Sequence, residues 1–118
     1  MIELEKNVYI TELFSIYGEL LSLAQQKMLK YYYEMDLSLS EIAENANITR
    51  QAVRDNLKKG ESKLFEYEEK LGIMKKTLMQ EEKIANILSE ITKIKENTSD
   101  KEIARILEDV KSKLNCLV

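Results

Sequence analysis

The sequence predicts an all-α protein, a helix-turn-helix domain followed by a helical hairpin, and three observations predict it. Its 118 residues include no proline and three glycines, so little forces the backbone out of helix. Glu, Lys, Leu and Ile are abundant, and apolar residues recur three and four apart with few stretches of period-two alternation. Between Leu37 and Leu64, in LSLSEIAENANITRQAVRDNLKKGESKL, two helices can be cut with a tight turn between them.

The first helix is expected from Glu3 to Tyr17, where Leu4, Val8, Leu13, Phe14 and Tyr17 keep helical spacing and Gly18 is placed for a left-handed cap. Leu20 and Leu21 fall in the following turn, and Ser22 with Gln25 makes a capping box that opens a second helix. That helix carries Leu23, Met28, Leu29 and the run Tyr31, Tyr32, Tyr33. Consecutive side chains cannot share one helical face. At least one tyrosine is therefore expected to pack against the helix beginning at Arg50 and at least one to be exposed, as core aromatics rather than platforms for unpaired bases.

Ser38 and Glu41 form a second capping box, so a short helix starts with its leading amides satisfied and turns Leu39, Ile42 and Ala43 inward. Asn45 and Asn47 flank Ala46, and asparagine tolerates the left-handed backbone that a tight turn needs where glycine is absent. Ile48 is expected to plug the elbow, and Thr49 to cap the next helix. With each residue turned about 100° from the last, Val53, Leu57, Gly60, Leu64, Tyr67 and Leu71 fall on one side. Gln51, Arg54, Asp55, Lys58 and Ser62 fall opposite, with Lys59 and Lys63 toward one flank and Arg50 at the border. This is the layout of a recognition helix, whose outer side chains reach base edges and phosphates in a major groove.

Leu71-Gly72 marks a break or bend, which places a wingless helix-turn-helix domain at residues 1–71 and a helical hairpin at 72–118. Met74, Leu78, Ile84, Ile87, Leu88, Ile91 and Ile94 sustain helical spacing, and Lys95 to Thr98 read as a loop. Ser99 and Glu102 form a third S-x-x-E box, after which Ile103, Ile106, Leu107, Val110, Leu114 and Leu117 make the apolar face of the last helix. Two helices joined by a short loop are antiparallel neighbours with too little core to stand alone. They are expected to pair with a second copy, giving a homodimer, or to fold back on the preceding helices.

Composition excludes several classes of function. Net charge is −3, so the protein does not coat nucleic acid over its whole surface, and any such site is local. From Arg50 to Lys63 five basic side chains stand against two acids. The chain lacks histidine and has one cysteine, Cys116, which excludes an intramolecular disulfide and argues against a zinc site. No catalytic constellation, metal site or cofactor motif is present, the carboxylates read as solvated partners of lysine, and Thr49 and the serines read as caps. No apolar run approaches the roughly 18 residues of a membrane span, and no signal peptide is evident, so a cytoplasmic protein without membrane insertion is expected.

The middle of the chain resembles region 4 of bacterial sigma factors, through Gln26-Lys27, Leu37-Ser38, Glu41-Ile42-Ala43, Ile48-Thr49, Val53-Arg54 and Leu57. Asp55-Asn56 departs from that pattern, in which serine and arginine are common. A closer resemblance is to the YlxM family of small bacterial helix-turn-helix proteins. It rests on Leu20-Leu21-Ser22, Tyr32-Tyr33, Asp36-Leu37-Ser38-Leu39, Glu41-Ile42-Ala43-Glu44, Arg50-Gln51-Ala52-Val53, Asp55-Asn56 and Tyr67-Glu68-x-Lys70-Leu71. The resemblance implies a sigma region-4-like all-helical protein and a link to the signal recognition particle through shared gene neighbourhood.

Two functions compete on these observations. In the first, a non-enzymatic DNA-binding regulator uses Gln51 and Arg54 on base edges and Lys58, Lys59 and Lys63 on phosphates, with Arg50 able to do either. In the second, an accessory factor of the signal recognition particle touches its RNA or protein subunit, and the same lysines hold RNA phosphates without sequence reading.

Overall fold

A computed structural model describes residues 3–117, and among them the chain is all-α, with no strand. The described residues fall into two compact units, one up to Met74 and one from Lys75.

The first unit begins with α1 (Glu3–Tyr17). Gly18 does not take the expected left-handed cap. The backbone instead tightens into a 3₁₀ turn over Gly18–Leu20, closed by the Leu21 amide on the Gly18 carbonyl at 3.1 Å. What Gly18 supplies is room, since a Cβ there would lie 3.0 Å from the Phe14 ring. Helix α2 (Leu23–Leu29) opens with the Ser22–Gln25 box as expected and runs on through a π-helical turn, Lys30–Glu34.

That wider turn explains the tyrosines. Tyr31, Tyr32 and Tyr33 are all half-buried, so the expected exposed member is absent. A π turn carries more residues per turn than an α turn and spreads neighbouring side chains differently around the axis. Tyr31 lies under the Lys27 ammonium, 5.9 Å from ring centre, Tyr32 meets Tyr33 edge to face, and the Tyr33 hydroxyl donates to Glu61. Burial first, and then the Glu61 carboxylate, raise the Tyr33 pKa above the ordinary phenol value. Asp36, with φ 54°, ends the segment in left-handed backbone that aspartate tolerates better than most residues.

Helix α3 (Leu39–Ala46) starts at the complete Ser38–Glu41 box and ends at Asn47, whose φ of 54° and ψ of 46° are left-handed. The Asn47 and Ile48 amides then bond back to Glu44 and Ala43 carbonyls at 3.3 and 3.0 Å, and Thr49 accepts from the Ala52 amide at 3.0 Å to start α4 (Arg50–Leu71). Ile48 remains 38% exposed, and its amide, bonded to the Ala43 carbonyl, helps close the turn.

Helix α4 is the axis of the unit and packs against α1, α2 and α3. Its Val53, Leu57 and Leu64 join Ile10, Leu13, Tyr17, Leu29 and Ile42 in one buried cluster. At Gly60 an added Cβ would meet Leu29 at 2.9 Å, so glycine lets α2 and α4 approach. Gly72 ends α4 in left-handed backbone at φ 62°, and α5 (Ile73–Asn97) follows at once. The backbone after Gly72 is tied to α1 and α4. The buried Tyr17 hydroxyl donates to Glu68 at 2.6 Å and accepts from the Ile73 amide at 3.1 Å, while Glu68 also accepts from the Met74 amide at 3.0 Å. Two amides at a helix start, which have no partner within the helix, are thereby satisfied.

In the second unit α5 continues to Asn97, through most of the segment Lys95 to Thr98 expected as a loop. The cap of α6 (Lys101–Asn115) is Asp100 rather than Ser99, its carboxylate accepting from the Glu102 and Ile103 amides at 2.9 and 3.3 Å. Lys95 and Glu108 pair between the two helices. Among the described residues from Lys75 onward Ile91 alone is buried, while Ile87, Ile94, Ile103, Ile106, Val110 and Leu117 stay exposed.

Candidate nucleic-acid interface

The N-terminal half of α4 sorts its side chains as its spacing dictates. Val53, Leu57, Gly60 and Leu64 are buried, whereas Arg50, Gln51, Arg54, Lys58, Lys59 and Lys63 are all exposed. Burial of one side fixes the rotation of the helix, and that rotation presents the six polar side chains to solvent.

Among the described residues none of the five cations has an ion-pair partner, while Lys70, Lys95 and Lys113 each pair with a carboxylate. A cation outside any ion pair exchanges solvent counterions for phosphate, although the Lys63 charge also helps lower the Glu66 pKa. The first turn of α4 carries no acid, so the positive end of its macrodipole adds to the field around Arg50.

Asp55 opposes that field. Its carboxylate accepts from the Gln51 side-chain amide at 3.0 Å, one turn away, which holds Gln51 along the helix surface. Reaching a base edge requires Gln51 to exchange this bond for one to the base. Asn56, between the two sides, donates its amide to the Ala52 carbonyl at 3.1 Å.

The sequence profile of the family described as "Putative helix-turn-helix protein, YlxM / p13 like" (UPF0122) matches residues 4–110. The chain belongs to this family. A UPF0122 protein of Listeria welshimeri is 39% identical over 108 residues, covering 92% of this chain and 96% of the relative. One from Fusobacterium nucleatum is 40% identical over 109 residues, covering 91% and 97%, and one from Acetivibrio thermocellus is 41% identical over 106 residues, covering 90% and 91%. The resemblance read from Arg50-Gln51-Ala52-Val53 and the neighbouring motifs is thus met over residues 4–110.

Among the described residues no cluster of three or more His, Cys, Asp or Glu could hold a metal ion, and no helix is long and apolar enough to cross a membrane. Cys116 is exposed near the end of α6.

Proposed function

We propose that this chain is a non-enzymatic regulatory protein of the cytoplasm that binds duplex DNA through the outer side of α4 and serves the signal recognition particle pathway. Gln51 and Arg54 address base edges, Lys58, Lys59 and Lys63 hold phosphates, and Arg50 does either. The observation that carries this reading is the exposure of five cations without ion-pair partners along one side of a helix in a protein of net charge −3. Family membership supports the helix-turn-helix reading. The link to the targeting particle rests on the gene neighbourhood implied by the family resemblance.

A gel-shift titration on duplex DNA at two salt concentrations tests it. Arg54→Ala is expected to weaken binding by about 1–3 kcal/mol and relax sequence choice, and Lys59→Ala to weaken it uniformly and reduce the salt slope by about one. Unchanged binding by both variants would remove α4 as the contact surface.

A second reading is favoured by the acidic balance of the chain and by Asp55 on the outer side. The protein is then an accessory factor that binds the particle's RNA or protein subunit, and the lysines hold phosphates across a shallow groove. Tighter binding to the particle's RNA than to random duplex DNA supports it, and the opposite order excludes it.

The division into a wingless helix-turn-helix domain at residues 1–71 and a hairpin at 72–118 is part of the same proposal. The hairpin pairs two copies, supported by the row of exposed Ile and Val side chains on α5 and α6. Light scattering at about tens of micromolar is expected to give a dimer, and Ile106→Asp, at a side chain 57% exposed, a monomer.

A further inference from the structure

Helix α1 is apolar on two sides. Ile10, Leu13 and Tyr17 face the core and are buried, while Leu4 and Val8, one turn apart, stay 72% and 52% exposed. A helix on the surface of a small domain ordinarily turns polar residues outward, and single exposed leucines need no explanation. These two are not isolated. They line a groove of about 720 Å³ bounded by α1, the π turn and the start of α3, where Tyr32, Tyr33 and Leu37 add apolar surface.

The same groove is acidic. Glu12, Asp36 and Glu41 line it, and no lysine or arginine does. Glu41 is held in place by its capping bond to the Ser38 amide at 3.2 Å, and the left-handed backbone at Asp36 fixes the start of that side chain. A smaller depression beside it, over Leu4, Val8 and Tyr9, again carries Glu5 and Glu12. Three carboxylates repel phosphate, so the groove is unsuited to nucleic acid. Among the described residues no buried side-chain polar atom is left without a partner to orient a small ligand there.

We infer that this groove docks a cationic amphipathic helix of a partner protein. Leu4 and Val8 recur at the one-turn spacing that an apolar helix ridge meets, and the carboxylates complement lysines or arginines flanking that ridge. The inference is independent of DNA binding by α4.

The probe is a fluorescein-labelled amphipathic peptide of leucine and lysine, titrated with the full-length protein by anisotropy beside a leucine–glutamate peptide of equal length. The lysine peptide is expected to bind and the glutamate peptide not to bind. Val8→Lys should weaken binding about tenfold, by adding like charge and removing apolar contact. Leu23→Lys adds the same charge at a side chain 84% exposed on α2, outside the groove, and should leave the affinity unchanged. Asp36→Asn, which keeps a residue tolerant of left-handed backbone, should weaken binding about threefold. Equal losses in Val8→Lys and Leu23→Lys, or no loss in Val8→Lys, would overturn the proposal. So would a drop in molar mass caused by Val8→Lys alone, which would make a second copy the occupant. Duplex DNA binding by Val8→Lys is expected to match the parent protein.

Discussion

Up to Met74, twelve side chains form one buried cluster, whereas among the described residues beyond it Ile91 alone is buried. The two units have similar raw material, since α5 and α6 are as rich in isoleucine and leucine as α1–α4. They differ in the number of elements that converge. Around α4 three helices close from different sides, and Gly60 lets one of them approach closely, while from Lys75 onward the described residues supply only α5 and α6. A side chain's hydrophobicity therefore does not decide its burial. The count of neighbouring elements does, and it also decides which unit can hold a polar surface at a fixed rotation.

The largest expected contrast is in the cores. Leu64→Ala should lower unfolding free energy by about 2–5 kcal/mol, because a fully buried side chain leaves a cavity. Ile106→Ala, in dilute solution, should change it by less than about 0.5 kcal/mol. Urea denaturation reads both, and equal losses would abolish the distinction between the units.

A smaller effect is expected where α4 ends at Gly72 and α5 begins. Tyr17→Phe keeps the buried ring but removes the hydroxyl that bonds Glu68 and the Ile73 amide, so a loss of about 1–3 kcal/mol is expected. Hydrogen exchange should accelerate first at Ile73, and an unchanged rate there would mean that these bonds do not hold the helix start.

The smallest effects are expected at the helix caps. Ser38→Ala should cost about 1 kcal/mol of the cooperative unfolding of the first unit. Asp100→Ala removes an equivalent cap, yet it should appear as fraying of the first turn of α6 in NMR shifts, with little change in the main transition.

The motif was legible because its signals are local. A capping box spans four residues and Asn47 needs only its own backbone, so α3, the turn and the start of α4 follow from a short stretch. The exposure of Arg50, Gln51, Arg54, Lys58, Lys59 and Lys63 followed from rotation alone. Signals that depend on neighbours are not legible in this way. Gly18 looks like a helix stop, but Phe14 sets its role, and the three tyrosines are redistributed by a π turn that no residue type announces. Ser99 and Asp100 are both competent caps, and the extension of α5 to Asn97 leaves the second of them at the helix start. Ile10, absent from the expected apolar stripe of α1, is fully buried, and Leu4 and Val8, assigned to that stripe, face the groove. A helix apolar on two sides offers its sequence no means of saying which side meets the core.

In the proposed function, charge held locally on α4, rather than charge carried by the chain as a whole, takes up nucleic acid. Two triple variants of equal net charge separate these. Lys58, Lys59 and Lys63 changed to Gln should reduce duplex DNA affinity about 10-fold or more and lower the salt slope by about three. Lys83, Lys93 and Lys101 changed to Gln should leave both unchanged. Equal losses in the two variants, at one salt concentration and on one duplex, would contradict the account.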